Sequence, residues 1–105
     1  MERVAIVLDN IPFPVIIESH TDNTKPKSSR FPSNWELSIA QASAVARYCI
    51  NNGLIKKKCR VVGCADKIPL ESNDNPDGRA ANRRIVILIS PFVPVSDLPG
   101  KETNT

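Results

Sequence analysis

The 105-residue chain is long enough for one small domain with a modest core, since 41% of its residues are hydrophobic. Its net charge of +3, with 24% charged residues, gives no basic footprint of the kind that nucleic-acid binding requires, so no nucleic-acid partner is expected. The three cysteines lack C-x-x-C spacing and support neither a zinc site nor a disulfide framework. Each lies in an apolar segment, where cysteine acts as a small buried hydrophobe.

The amino-terminal part of the chain predicts a helix, a strand and a loop. Residues 2–10 form the predicted helix, which Pro12 and Pro14 end because proline lacks a backbone donor. Its apolar face is expected to contain Val4, Ala5, Val7 and Leu8. The β-branched run 15–20 predicts a strand, and 25–32, with two prolines, predicts a loop. No signal peptide or apolar stretch of about 18 residues is visible, so the sequence as written offers no route across a membrane.

The second predicted helix has the clearest boundaries. Ser33 and Glu36 fit a capping box at its start, and Gly53 marks its end. Helical spacing predicts a core face of Leu37, Ala40, Ala44, Val45 and Tyr48. The basic residues that follow, Lys56, Lys57, Lys58 and Arg60, are interpreted as a solvated helix end.

The carboxyl-terminal part predicts two further strands around a short helix. Residues 59–63 form the first of these strands, and 73–78 form a turn that contains Asn-Pro and Asp-Gly. Residues 79–84 predict a short helix or helical turn, and the apolar run 85–89 is typical of a buried strand. Residues 90–105 predict a disordered Pro-rich tail. This order of elements predicts an α/β sandwich, with helices packed on one small mixed sheet.

Three sequence blocks, in the right order, resemble the OmpA-like peptidoglycan-binding domain in the form carried by MotB-type flagellar stator proteins. They are His20-Thr21-Asp22-Asn23 at a strand end, the segment RFPSNWELS (30–38) at a helix start, and the closing segment GRAANRR (78–84). The resemblance implies an OmpA-like domain over residues 2–89. The family fold normally begins with a further strand before the first helix, and no residues here supply it.

The resemblance also implies a binding site for the diaminopimelate stem peptide of peptidoglycan. In the family an Asp, here Asp22, takes the ligand ammonium, and an Arg takes its carboxylate, but this chain has Gln41 at the Arg position. Gln41 either meets the ligand or satisfies a buried backbone group, and Arg30 is the better candidate for a compensating cation. The remaining positions that match the family's polar contacts are Thr24, Asn34 and the rim residue Arg83, with Ser38 a weaker match. Asn34 and Thr24 also have purely structural readings, and Asn82 is expected to be structural.

Two further positions depart from the family pattern. Ser19 and Ala65 stand where the family usually has glycine. Such replacements destabilise the fold if the backbone needs a positive φ.

The resemblance implies a noncatalytic domain without cofactor or metal that anchors a flagellar stator or envelope protein to the wall from the periplasm. A homodimer is possible, and a membrane stator partner is expected if the chain is part of a longer protein. One alternative is a degenerate domain without wall binding, kept as a protein-interaction module. An enzyme is the weakest class, because His20 and Asp22 have no third ligand at metal spacing and no nucleophile beside a base.

Overall fold

The computed structural model describes residues 2–90, which form helices packed against a small mixed sheet. The elements are helix α1 (Glu2–Asp9), strand β1 (Val15–His20), helix α2 (Asn34–Asn51), a 3-10 turn (Lys56–Lys58), strand β2 (Cys59–Gly63), helix α3 (Pro76–Asn82) and strand β3 (Arg84–Ile89). The strand order is β2-β1-β3, with β2 parallel and β3 antiparallel to β1. The predicted fold class is confirmed. The predicted tail lies, apart from Ser90, outside the described residues.

Helix α2 begins and ends where its capping residues predict. Ser33 has extended backbone, and its Oγ accepts a hydrogen bond from the Trp35 amide at 3.2 Å. The Ser33 hydroxyl also donates to the Glu36 carboxylate, and this bond lowers the pKa of Glu36. At the other end Gly53 has φ +114°, a conformation that a side chain would strain. The predicted helix start and the pairing of Ser33 with Glu36 are therefore confirmed, but the Ser33 hydroxyl accepts from the amide two residues on and not three.

The buried face of α2 differs from the predicted face. The side chains packed toward the sheet are the small ones, Ser38, Ala42, Ala46 and Cys49. Tyr48 is 44% exposed, and Ala44 is exposed as well. A Cβ on Gly63 of β2 would lie 2.7 Å from the backbone nitrogen of Ile39, so helix and sheet approach too closely for large side chains. The periodicity was right, but its phase was wrong because close approach selects small residues over large apolar ones.

The hydrophobic core lies between the helices and the helix-facing side of the sheet. Val15 and Ile17 of β1 are fully buried, and α1 contributes Ala5 and Leu8. Val7, predicted to belong to the apolar face of α1, is 59% exposed. No described helix has both the length and the apolarity needed to span a bilayer.

The basic cluster after α2 is only partly solvated, because Lys58 is buried. Its ammonium donates to the carbonyls of Leu8 at 3.0 Å and Asp9 at 2.6 Å, where α1 ends. A cation at this position satisfies orphan carbonyls and opposes the negative end of the helix dipole. The predicted dipole interaction therefore exists, but with α1 rather than α2.

The segment before β3 also differs from prediction. The stretch expected to be a turn starts α3 instead, with Asn75 as its amino-terminal cap and Pro76 in the first turn. Gly78 is packed inside this helix, where an added Cβ would lie 1.8 Å from the Ser72 carbonyl oxygen. Strand β3 pairs with β1 on one side and ends the described sheet on the other, and Leu88 is 40% exposed. Its continuous apolar run therefore does not indicate a fully buried strand.

Candidate functional site

Asp22 lies just beyond the end of β1, in a loop that its own carboxylate helps to shape. Oδ1 accepts from the Thr24 amide at 2.8 Å, and Oδ2 accepts from Arg83 Nη1 at 2.6 Å. Burial acts to raise the pKa of Asp22, but the hydrogen bonds from Thr24 and Arg83, with the Arg83 charge, outweigh it and lower the pKa below 3.8. Asp22 is therefore an anion held in a fixed orientation.

Asn34 holds the loop that carries Asp22 against α2. Its Nδ2 donates to the carbonyls of Asp22 at 3.3 Å and Thr24 at 3.1 Å. Its Oδ1 is buried and has no hydrogen-bond partner among the described residues. Asn34 thus has the structural role, and its unpaired Oδ1 is enclosed by the protein. Thr24 contributes its backbone to the loop and its side chain to Asp22.

Gln41 contacts Ser19, the neighbouring departure from the family pattern. The Ser19 hydroxyl, fully buried in β1, donates to Gln41 Oε1 at 2.8 Å. Because Oε1 accepts this bond, the Nε2 amide of Gln41 remains available to donate to a ligand. Gln41 is therefore oriented by the Ser19 side chain. The sequence had left open that Gln41 satisfies a buried backbone group instead.

These residues surround one open cavity of about 840 Å³ between the end of β1, α2 and the α3–β3 junction. Its lining is strongly cationic, with Asp22 as its only acidic residue in the described chain. The cations are Lys25, Lys27, Arg79, Arg83 and Arg84, and the apolar wall is Leu37, Ala44, Val45 and Ile85. Thr24, Asn34 and Gln41 also line it, so the structure brings the five sequence-predicted site residues together.

The cation beside Asp22 is Arg83, whereas Arg30 lies 5.2 Å from the Phe31 ring centroid and does not line the cavity. Arg83 follows α3, whose last residue, Asn82, is fully buried. Asn82 accepts from the amides of Leu70 and Glu71 and donates to the Glu71 carbonyl, which fixes the chain next to Arg83. The structural role expected for Asn82 matches these bonds.

Sequence reasoning missed part of the cavity lining. Lys25, Lys27, Arg84, Leu37 and Val45 were assigned to a loop, a closing motif or the core. The signal that could have separated Leu37 from the core is the second stripe of α2, in which Ser38, Ala42, Ala46 and Cys49 share one face, whereas Val45 both lines the cavity and packs against the core.

The other positions that the sequence singled out have structural roles or lie in a different group. Ser38 is buried, donates to the Trp35 carbonyl and accepts from the Ala65 amide at 3.1 Å, so it links α2 to the segment after β2. Ala65 has φ +53°, so the cost expected for replacing glycine applies there but not at Ser19, which lies in β1.

His20 is buried, and its Nε2 lies 3.2 Å from Glu18 Oε1. Cys64 joins this pair to complete a group with metal-ligand spacing.

Comparison with known proteins places this fold and cavity in a family. The model of the OmpA family matches residues 1–83, and the chain belongs to that family. Within it, the chain is similar to the MotB type: it is 37% identical over 87 residues to Motility protein B of Bacillus subtilis. That alignment covers 82% of this chain and 33% of the relative.

Two further relatives carry names that bear on function. The chain is 36% identical over 76 residues to the peptidoglycan-binding protein ArfA of Mycobacterium tuberculosis, an alignment that covers 72% of this chain and 22% of the relative. The structure of the cell wall anchor of the T6SS from Pseudomonas aeruginosa superposes with a TM-score of 0.73 at 35% identity, covering 81% of this chain and 59% of that one. The chain thus spans a third or less of the length of these two sequence relatives.

Proposed function

We propose that this domain binds peptidoglycan without catalysis and anchors a flagellar stator or envelope protein to the cell wall. The observation that carries the proposal is the fixed Asp22 carboxylate in the lining of a cationic cavity. A free diaminopimelate end presents an ammonium and a carboxylate on one carbon. It needs an anion and a donor side by side, and Asp22 and Arg83 offer both.

Arg83 replaces much of the charge that Gln41 lacks. Its side chain is 57% exposed, so it can rotate toward a ligand carboxylate while Asp22 receives the ammonium. The Asp22 carboxylate already accepts from Thr24 and from Arg83, and a carboxylate accepts about four hydrogen bonds, so capacity for the ligand remains. Gln41 Nε2 supplies a further donor.

The competing proposal is a domain that keeps the fold without binding the wall. The Asp22–Arg83 ion pair favours it, because a ligand must weaken a 2.6 Å contact before its ammonium reaches Asp22. A neutral Gln41 bond contributes about 0.5–1.5 kcal/mol, against roughly 1.5–3 kcal/mol for the charge-assisted bond of an arginine. The expected binding is therefore about tenfold weaker than with arginine at position 41.

Sedimentation with purified peptidoglycan sacculi tests both proposals. We expect the unmodified chain to pellet with sacculi, Asp22→Ala to remain in solution, and Gln41→Arg to bind about tenfold more tightly. Asp74→Ala, at an exposed site outside the cavity, is the matched control and should bind like the unmodified chain. Binding by Gln41→Arg alone would establish the degenerate domain, and release of soluble wall fragments would reveal an enzyme.

The location and partners of the whole protein belong to the same proposal. Wall binding requires the domain to lie in the periplasm or cell envelope. A motility role requires that this chain be part of a longer protein with a membrane stator partner.

The outer edge of β3 has no neighbouring strand among the described residues, which supports pairing with a second copy of the chain.

A further inference from the structure

We propose that Glu18, His20 and Cys64 form a Zn²⁺-binding site on the face of the sheet opposite α2. Each side chain offers one ligand atom, and the three atoms lie within 4.8 Å of one another. His20 also lines the cavity that holds Asp22, but Glu18 and Cys64 do not, and neither function requires the other.

Strand pairing brings the three residues to one face. Glu18 and His20 are two positions apart on β1, so their side chains point to the same side of the sheet. Val62 of β2 pairs with Glu18, and Cys64 lies two residues further along, on the same side and beside His20. Gly63, between them, faces α2. Sequence spacing could not predict this group because one ligand comes from a second, parallel strand.

His20 turns one ring nitrogen toward Glu18. The residue is 4% exposed, and its Nε2 lies 3.2 Å from Glu18 Oε1. Nε2 is therefore the nitrogen that would bind an ion shared with the Glu18 carboxylate, and the buried Cys64 sulfur completes the group.

The donor set selects zinc among the common divalent ions. Thiolate, imidazole and carboxylate are all zinc ligands, and the thiolate disfavours Mg²⁺ and Ca²⁺. Tetrahedral zinc with bonds of about 2.0–2.1 Å separates a nitrogen and an oxygen ligand by about 3.3 Å, close to the 3.2 Å observed between Glu18 and His20. The tetrahedral separation of the sulfur from them is about 3.6 Å. Since all three atoms lie within 4.8 Å of one another, a shift of at most about 1.2 Å closes the site.

Charge and access also suit a divalent ion. The Glu18 carboxylate and the Cys64 thiolate together neutralise the charge of Zn²⁺. Arg84 lies opposite His20 and is the one cation of β3 that faces the group. Its guanidinium donates to the carbonyls of Asn82 and Ile68. The Glu18 side chain is 25% exposed, so ions can enter from solvent and water can take the fourth position.

Metal titration of the reduced full-length chain tests the proposal. Calorimetry with Zn²⁺ should show one ion bound per chain, and Co²⁺ should give the absorption of a tetrahedral thiolate complex. Cys64→Ser should abolish that absorption and weaken Zn²⁺ binding at least tenfold, and Glu18→Gln should weaken it as well. Cys59→Ser is the matched control, because Cys59 is half-buried and lies outside the group, and it should bind like the unmodified chain.

Two results would overturn the site: no binding of Zn²⁺ by the unmodified chain, or equal binding by Cys64→Ser. Far-ultraviolet circular dichroism of each variant establishes that it is folded, and Glu18→Gln provides a second test if Cys64→Ser does not fold. Sacculus binding measured with chelator present separates the two proposals, since the loss of either activity leaves the other measurable.

Discussion

Two departures from the family pattern are in direct contact. The Ser19 hydroxyl, where the family usually has glycine, donates to Gln41, which stands where the family has arginine. Ser19 lies in regular strand backbone and therefore needs no glycine. The serine holds Gln41 in one orientation at the cavity wall. The contact thus joins two positions that the sequence had given no reason to pair.

The charge of Asp22 should make stability depend on pH. Its pKa is lowered in the folded state, so its contribution is present above the unfolded pKa near 3.8 and is lost as pH falls through the lower folded value. We expect Asp22→Asn to reduce the free energy of unfolding by about 1 kcal/mol at pH 7, a small figure because Arg83 is largely exposed. The difference from the unmodified chain should shrink steadily below pH 3.8.

Urea unfolding at neutral and acidic pH measures this difference. Asp74→Asn, which changes an exposed carboxylate, should stay within about 0.5 kcal/mol of the unmodified chain at pH 7. A penalty for Asp22→Asn that is the same at both pH values would mean that shape, rather than charge, explains the effect.

At the level of elements, local chemistry predicted boundaries better than it predicted packing. The capping box at Ser33 and the glycine at position 53 fix the ends of α2 through hydrogen bonds and backbone conformation that act within a few residues. The face that α2 buries depends on how closely β2 approaches, and a distant residue, Gly63, determines that distance. Similarly, the apolar run of residues 85–89 predicts a strand, but it does not predict that β3 lies at the edge of the described sheet.

The same distinction applies to the site. Asp22, Asn34 and Arg83 could be located because motif blocks carry them, and Thr24 and Gln41 could be located because each lies shortly after a block. The direct Asp22–Arg83 ion pair, which spans 61 positions, could not, and neither could the burial of Lys58. Contacts of this kind depend on tertiary structure, which leaves no periodic signal in the sequence.

Lys58 should stabilise the attachment of α1. Lys58→Met keeps the aliphatic stem but leaves the Leu8 and Asp9 carbonyls without their ammonium donor. We expect a loss of about 2 kcal/mol in the free energy of unfolding, since charge-assisted bonds contribute roughly 1.5–3 kcal/mol and a buried acceptor is left unpaired. Chemical denaturation measures the loss.

Lys57→Met is the matched control, because Lys57 is exposed in the same 3-10 turn. Its expected change is within about 0.5 kcal/mol. Equal effects of the two substitutions would show that the cluster acts only through its summed surface charge, as the sequence had indicated.

For the whole molecule, ligand binding and folding are linked through the cavity, because β1, α2 and the α3–β3 junction form its walls only in the folded chain. A diaminopimelate-containing stem peptide at about 100 times its Kd should therefore stabilise the fold by roughly 2.7 kcal/mol. For a domain of this size, that corresponds to a rise in Tm of at least about 10 °C. Calorimetric scans over a peptide series should show the rise for the unmodified chain, and at about tenfold lower peptide concentration for Gln41→Arg. A stem peptide with lysine in place of diaminopimelate lacks the second carboxylate and should produce a smaller rise. If the two peptides raise Tm equally, the cavity does not read the zwitterionic end, and the roles of Asp22 and Arg83 as its partners must be abandoned.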